Sequence, residues 1–173
     1  APQLAELDAG AGFGPEFAGT RIPTLAEALE EMVRLDLHPN LEIKPAPGAA
    51  AETARATAAT VRAVWPADRP RPLISSFQRD CLTASRAAAP ELPRGLIARA
   101  RPWRWRADLT ELDCVSLHLA ANRVSPAEVR EVADAGWGVA IYTVNDGGTA
   151  ARLRGWGVHA IITDRPDLMP REL

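Results

Sequence analysis

The chain has few of the residues on which several kinds of site depend. It contains three histidines, two cysteines and one tyrosine in 173 residues. Cys81 and Cys114 stand apart among apolar neighbours, so we expect two buried thiols rather than a disulfide or a cysteine metal site. The histidines are His38, His118 and His159. This scarcity limits the acid–base chemistry that the chain can offer.

The charges and the apolar residues exclude two further classes of protein. Lysine and arginine number 20, aspartate and glutamate 22, and the formal net charge of −2 gives no support to a nucleic-acid binder. No apolar run approaches the roughly 18 residues of a membrane-spanning helix. With 47% hydrophobic and 24% charged residues, residues 1–173 are predicted to form one soluble globular domain.

Strand-like apolar runs alternate with helix signals along the chain. Two capping boxes, Thr24 with Glu27 and Ser125 with Glu128, predict the starts of helices. Further helices are predicted over residues 50–65 and 78–88, and in a short segment before position 155. The predicted strands lie at residues 40–45, 72–77, 95–98, 114–119, 139–144 and 158–163.

This alternation is typical of parallel βα units with right-handed crossovers. Two α/β architectures fit it, an open doubly wound sheet and a TIM-type (β/α)8 barrel. No GxGxxG follows a predicted strand, so nothing favours a dinucleotide fold. Polar residues cluster at the carboxyl ends of the predicted strands, where enzyme barrels carry their sites, and we therefore predict the barrel. The predicted strands supply about six of its eight βα units.

The segment at residues 40–45 (NLEIKP) carries the sharpest candidate site. Glu42 and Lys44 share one face of a strand because strand side chains alternate, and Pro45 ends the strand. One interpretation is a solvated surface salt bridge. The other is a site in which Glu42 is an oxygen ligand for a hard cation and Lys44 a positive charge for a phosphate. In the second case both side chains face the barrel interior.

Seven segments, taken in order and with their spacing, carry a resemblance to a known family: DAGAGFGPEFAGTRIPTLAEAL, NLEIKP, PLISSF, AAPELPRGL, LDCVSLHL, VAIYTVND and WGVHAIITDRPD. They resemble glycerophosphodiester phosphodiesterase, and most of all its cytoplasmic bacterial form. The resemblance implies a cytoplasmic (β/α)8 barrel of glycerol and lipid metabolism. It also implies hydrolysis of glycerophosphodiesters to glycerol 3-phosphate and an alcohol, with a divalent cation, Mg²⁺ or Ca²⁺, as cofactor.

The resemblance gives roles to the residues of the NLEIKP segment. It implies that Glu42 is one of three carboxylates that hold the metal and that Lys44 is a catalytic residue that holds the phosphate. Other residues at or near strand ends are predicted to line the substrate pocket, with ordinary packing or loop orientation as the alternative and, for His118, also acid–base catalysis. They are Phe77, His118, Tyr142 and Asn145.

Several motifs of the family have no counterpart in the chain: His-Arg-Gly, Glu-Asn-Thr, a Glu-x-Asp in a strand, and His-Asp. In the family they precede the DAG segment and supply two metal carboxylates and both acid–base histidines. We therefore expect that roughly the first quarter to third of a barrel of about 250 residues is missing here. The 173-residue chain alone is accordingly expected to be inactive on glycerophosphocholine.

Two other functions stay open. One is a catalytically inactive barrel remnant that binds a partner through unpaired strand edges near residues 40–45. The other is a phosphodiesterase of the same barrel type acting on phosphoinositides or sphingolipids, which an aromatic content of 5% disfavours. The partner that we expect is a small-molecule glycerophosphodiester. Association into a homo-oligomer is also left open.

Overall fold

The computed structural model describes residue 4 and residues 6–169. In this part of the chain six strands form one sheet: β1 (Asn40–Glu42), β2 (Leu73–Ser76), β3 (Arg94–Ala98), β4 (Ser116–Ala120), β5 (Gly138–Tyr142) and β6 (Ala160–Ile161). The α-helices that alternate with them are α1 (Leu25–Arg34), α2 (Ala50–Val64), α3 (Arg79–Ala88), α4 (Trp105–Glu111), α5 (Pro126–Asp134) and α6 (Gly147–Gly155). Short 3₁₀ helices lie at Pro15–Phe17, Ala121–Arg123 and Pro166–Leu168.

The sheet is parallel throughout, and its strands lie in chain order from β1 to β6. A doubly wound sheet reverses its strand order at a switch point, and this sheet has no reversal among the described residues. The sheet also curls. Glu42 of β1 and Ile162, directly after β6, line the same cavity although four strands lie between β1 and β6. The predicted barrel architecture is therefore confirmed, as a partial barrel of six parallel strands in a curled sheet.

The two edge strands fall furthest short of their predicted lengths. β1 stops at Glu42 and β6 has only two residues. Within the described residues each lies at an edge of the sheet and pairs with one neighbour only. Backbone pairing nevertheless continues beyond both strands, since the N–H of Ile43 donates to the carbonyl of Ser75 at 2.8 Å and the N–H of Ile162 to that of Ile141 at 2.8 Å.

Both predicted capping boxes are present. At α1 the Thr24 hydroxyl accepts the N–H of Glu27 at 3.2 Å, and the Glu27 carboxylate accepts the N–H of Thr24 at 2.8 Å. Ser125 and Glu128 form the same pair of bonds at α5. These bonds satisfy N–H groups that a helix start would otherwise leave unpaired. None of the helices in this part of the chain has both the length and the apolar surface that crossing a bilayer requires.

Apolar side chains pack between the sheet and the helices. The larger cluster includes side chains of β4 and β5 together with Trp105, whose ring meets that of Trp137 edge-on with 5.5 Å between centroids. The smaller cluster lies by β1 and β2 and includes Ile74. Cys81 and Cys114 are free and buried in these clusters, as predicted. The hydrophobic core therefore lies outside the curled sheet, between the sheet and the helices.

One charged side chain is buried at the start of β3. Arg94 is 3% exposed and donates to the carbonyl oxygens of Leu92 at 2.6 Å, Leu112 at 3.2 Å and Asp113 at 3.0 Å. It also pairs with the Asp113 carboxylate at 2.5 Å. Because Leu112 and Asp113 follow the end of α4, the guanidinium ties that helix to the loop before β3.

We expect Arg94→Met to lower the free energy of unfolding by about 2–4 kcal/mol, because it leaves buried carbonyl oxygens without donors. The matched control is Arg62→Met, which breaks an exposed pair with Glu91 and should cost less than about 1 kcal/mol. Urea denaturation followed by circular dichroism measures both changes. Equal losses in the two variants would contradict the role given to Arg94.

Candidate active site

The carboxyl ends of the strands surround a cavity of about 420 Å³, called here the mouth cavity. Strand side chains reach it in alternation, because every second residue of a strand faces the same side. Its lining consists of Asn40, Glu42, Lys44, Phe77, Ile97, His118, Tyr142, Thr143, Ile162 and Asp164. Of the residues predicted to form the site, all except Asn145 are among them.

Glu42 and Lys44 face the barrel interior, as predicted, and form an ion pair with 3.3 Å between Nζ and Oε2. Ile43 between them is buried in the core. The Glu42 side chain is 32% exposed and that of Lys44 74%. An ion pair of this kind adds little stability, so the ammonium can leave the carboxylate at little energetic expense when an anion enters the cavity.

Lys44 is the only lysine in the 173 residues, and every other Lys/Arg position is arginine. An ammonium is a compact charge with rotatable donors, whereas a guanidinium is a planar fork. The only ammonium side chain of the chain thus lies at the mouth of its candidate site.

Two aromatic rings form one wall of the mouth cavity. Phe77, directly after β2, and Tyr142, at the end of β5, meet edge to face with 5.9 Å between ring centroids. The Tyr142 hydroxyl donates to the carbonyl oxygen of Ala98 at 3.1 Å. Burial is the main cause that raises the pKa of Tyr142 above its ordinary value. The wall is therefore held by ring packing together with a hydrogen bond to β3.

His118 lies on the inner face of β4 and is 1% exposed. Its Nε2 lies 3.0 Å from the Ser116 hydroxyl, whereas its Nδ1 has no hydrogen-bond partner among the described residues. Burial lowers the pKa of His118 to about 4, so the ring is neutral near pH 7. Space for the ring depends on Gly95, since a Cβ there would come within 2.7 Å of Nε2.

Asn145 lies outside the mouth cavity lining and joins two loops. Its Oδ1 accepts the N–H of Asp164 at 2.9 Å and the Thr163 hydroxyl at 3.1 Å. It thereby connects the loop after β5 to the loop after β6. These bonds favour loop orientation, one of its two predicted roles, while direct contact with substrate stays a prediction.

Several residues of the lining were not among the predicted site residues, although Thr143 and Asp164 belong to the polar residues at the predicted strand ends. Asn40 and Ile97 stand in strands, and the period of two would have found Asn40, two residues before Glu42. Thr143, Ile162 and Asp164 lie just beyond strand ends, where the direction of a side chain depends on the loop. Within residue 4 and residues 6–169, no three His, Cys, Asp or Glu side chains come together as a metal site.

The curled parallel sheet and the cavity at its carboxyl edge define a protein of the α/β-barrel class, with a carboxylate and an ammonium side by side at its mouth. A family model described as the glycerophosphoryl diester phosphodiesterase family matches residues 1–168. The chain belongs to this family.

Two relatives show how much of the family's length is present. Glycerophosphodiester phosphodiesterase of Caldanaerobacter subterraneus subsp. tengcongensis is 30% identical, over 96% of this chain and 68% of the relative. The solved structure of an Oleispira antarctica phosphodiesterase in complex with the product sn-glycerol-3-phosphate is 36% identical, with a TM-score of 0.92, over 95% of this chain and 66% of that one. The chain thus spans about two thirds of the length of these relatives.

The neutral state of His118 predicts a pH-dependent loss of stability. Its pKa is about 4 when folded, against an ordinary 6.5, so below pH 6.5 the unfolded chain binds a proton that the folded chain does not. Stability is therefore lost as the pH falls from about 6.5 to about 4, by about 3 kcal/mol in total.

The variant His118→Gln removes this titration and leaves every other group in place. Urea denaturation of both proteins at pH 7 and pH 4 measures the change. The free energy of unfolding of the natural chain, relative to that of the variant, should be about 3 kcal/mol lower at pH 4 than at pH 7. A stability difference that is the same at both pH values would show that the ring is not held neutral by the fold.

Proposed function

We propose that this chain forms the larger part of a barrel that hydrolyses glycerophosphodiesters to glycerol 3-phosphate and an alcohol. The observation that carries the proposal is the position of Glu42 and Lys44, which stand side by side in the mouth cavity at the end of β1. It is supported by the likeness to the Oleispira antarctica phosphodiesterase, whose structure holds sn-glycerol-3-phosphate.

Lys44 is proposed as the group that stabilises the phosphate. Hydrolysis adds water to phosphorus and breaks the bond from phosphorus to the alcohol oxygen, while negative charge builds on the other phosphate oxygens. An ammonium placed beside those oxygens stabilises the transition state more than the ground state. Its exposed side chain can turn from Glu42 to the phosphate without leaving the cavity.

His118 is proposed as part of the cavity floor rather than as the acid or base of the reaction. A general acid or base works best when its pKa lies near the working pH, and the pKa of His118 is about 4. Its ring is already bonded to Ser116. His118 is therefore not proposed as a proton-transfer group of the reaction.

Glu42 is proposed as one ligand of a divalent cation, Mg²⁺ or Ca²⁺. These cations prefer carboxylate oxygens, and the carboxylates of Glu42 and Asp164 line the same cavity. Because the described residues hold no cluster of three such groups, they do not make a complete metal site by themselves. When bound, the cation would neutralise charge on the phosphate oxygens.

The activity is tested on the longest polypeptide that the gene encodes and, separately, on the 173-residue chain. Glycerophosphocholine is the substrate, with Mg²⁺ or Ca²⁺ present, and release of glycerol 3-phosphate is measured with a coupled dehydrogenase. We expect release above background from the longest polypeptide and none from the 173-residue chain. If the longest polypeptide releases none with either cation, from glycerophosphocholine or from glycerophosphoinositol, the proposed function is wrong.

In the active polypeptide, Glu42→Gln keeps the shape of the side chain and removes its charge. We expect the metal concentration for half-maximal activity to rise at least about tenfold, equivalent to about 1.4 kcal/mol of binding. Glu52→Gln, an exposed carboxylate in α2, is the matched control and should leave the metal dependence unchanged. An unchanged metal dependence in Glu42→Gln would leave the surface salt bridge as the better interpretation.

Lys44→Met is expected to lower the turnover number rather than to change the metal dependence. We expect kcat to fall by about ten- to a thousandfold with little change in the metal dependence, because the charge that stabilises the transition state is removed. Kinetics at saturating metal and substrate measure this fall. A normal kcat in Lys44→Met would exclude Lys44 from the chemical step.

A further inference from the structure

A second cavity of about 360 Å³ lies beside the mouth cavity at the same edge of the sheet. The two cavities share Phe77 and Tyr142, so the aromatic wall borders both. The remaining lining residues come from the loop after β3 and from the end of β4 and the 3₁₀ helix that follows it; they are Arg99, Ala120, Asn122 and Arg123. We call this second cavity the arginine subsite.

In the part of the chain that the structure describes, the two arginines of the subsite have no ion-pair partner. Neither Arg99 nor Arg123 has a carboxylate within ion-pair distance or a side-chain hydrogen bond among the described residues, whereas Arg79, Arg94 and Arg101 all form ion pairs. The charge of Arg99 acts on the aromatic wall, because it lowers the pKa of Tyr142, whereas burial and the charge of Glu42 raise that pKa. The subsite thus has two guanidinium groups, an amide and an aromatic wall, and its lining has no carboxylate.

We propose that the arginine subsite binds an anionic group on the alcohol part of the substrate, and that it makes the protein prefer glycerophosphodiesters with an anionic head group. The inference rests on the proposed function, which places the diester phosphate by Lys44 in the neighbouring cavity. Guanidinium groups bind phosphate and carboxylate oxygens with paired, charge-assisted hydrogen bonds. A cationic head group such as choline would instead meet two like charges.

Binding to the 173-residue chain tests the subsite without any need for activity. The probes are glycerophosphoinositol 4-phosphate and glycerophosphoinositol, which differ by one phosphate, and isothermal titration calorimetry gives both dissociation constants. We expect the additional phosphate to tighten binding by at least about tenfold. In the double variant Arg99→Gln/Arg123→Gln, the additional phosphate should tighten binding by less than about twofold, while the affinity for glycerophosphoinositol stays the same.

The matched control is Arg55→Gln, which changes an exposed arginine on α2. This variant should still bind the phosphorylated probe at least about tenfold more tightly than glycerophosphoinositol. Circular dichroism and thermal unfolding show that each variant is folded. Equal affinity for the two probes, no binding of either probe by the folded chain, or an advantage that survives in the double variant would each overturn the proposal.

Hydrolysis of the same two compounds by the longest polypeptide separates this proposal from the proposed function. Hydrolysis of both with equal kcat/KM would retain the function and overturn the preference. Tight, arginine-dependent binding of the phosphorylated probe with no hydrolysis of either compound would retain the subsite and overturn the function.

Discussion

Ile43 is held in three ways, and the candidate site depends on it. Its N–H donates to the carbonyl of Ser75 at 2.8 Å, its own carbonyl accepts the Ser76 hydroxyl at 2.7 Å, and its side chain is buried in the core. The neighbours of a strand residue that packs against the helices must point to the opposite face of the sheet. Glu42 and Lys44 therefore face the barrel interior because of the backbone between them, and their own weak ion pair has little part in it.

Local sequence patterns explain why so much of the fold could be predicted from the sequence. Parallel strands follow from short apolar runs between helix signals, and the starts of α1 and α5 follow from capping boxes whose bonds are local. The lengths of β1 and β6 could not be predicted in this way. An edge strand is defined by how far its single neighbour pairs with it, and that information is not in the segment itself.

The residues of the candidate site also fall into two groups, those whose positions follow from the sequence pattern and those whose positions depend on tertiary packing. Glu42 and Tyr142 reach the mouth cavity from strand positions, where the direction of a side chain follows from its place in the alternation. Arg99 and Arg123 stand just beyond strand ends, where no period fixes the direction, and their positions depend on how the loops pack. The low pKa of His118 likewise depends on tertiary burial, including the space that Gly95 leaves above the strand next to it.

The scarcity of lysine has a practical consequence for chemical labelling. Amine-directed reagents, such as active esters and acylating groups, find a single side-chain target in these 173 residues, and it is 74% exposed. A fluorophore or an isotopic tag attached there sits at the rim of the mouth cavity. Its signal therefore reports on the surroundings of the cavity rim.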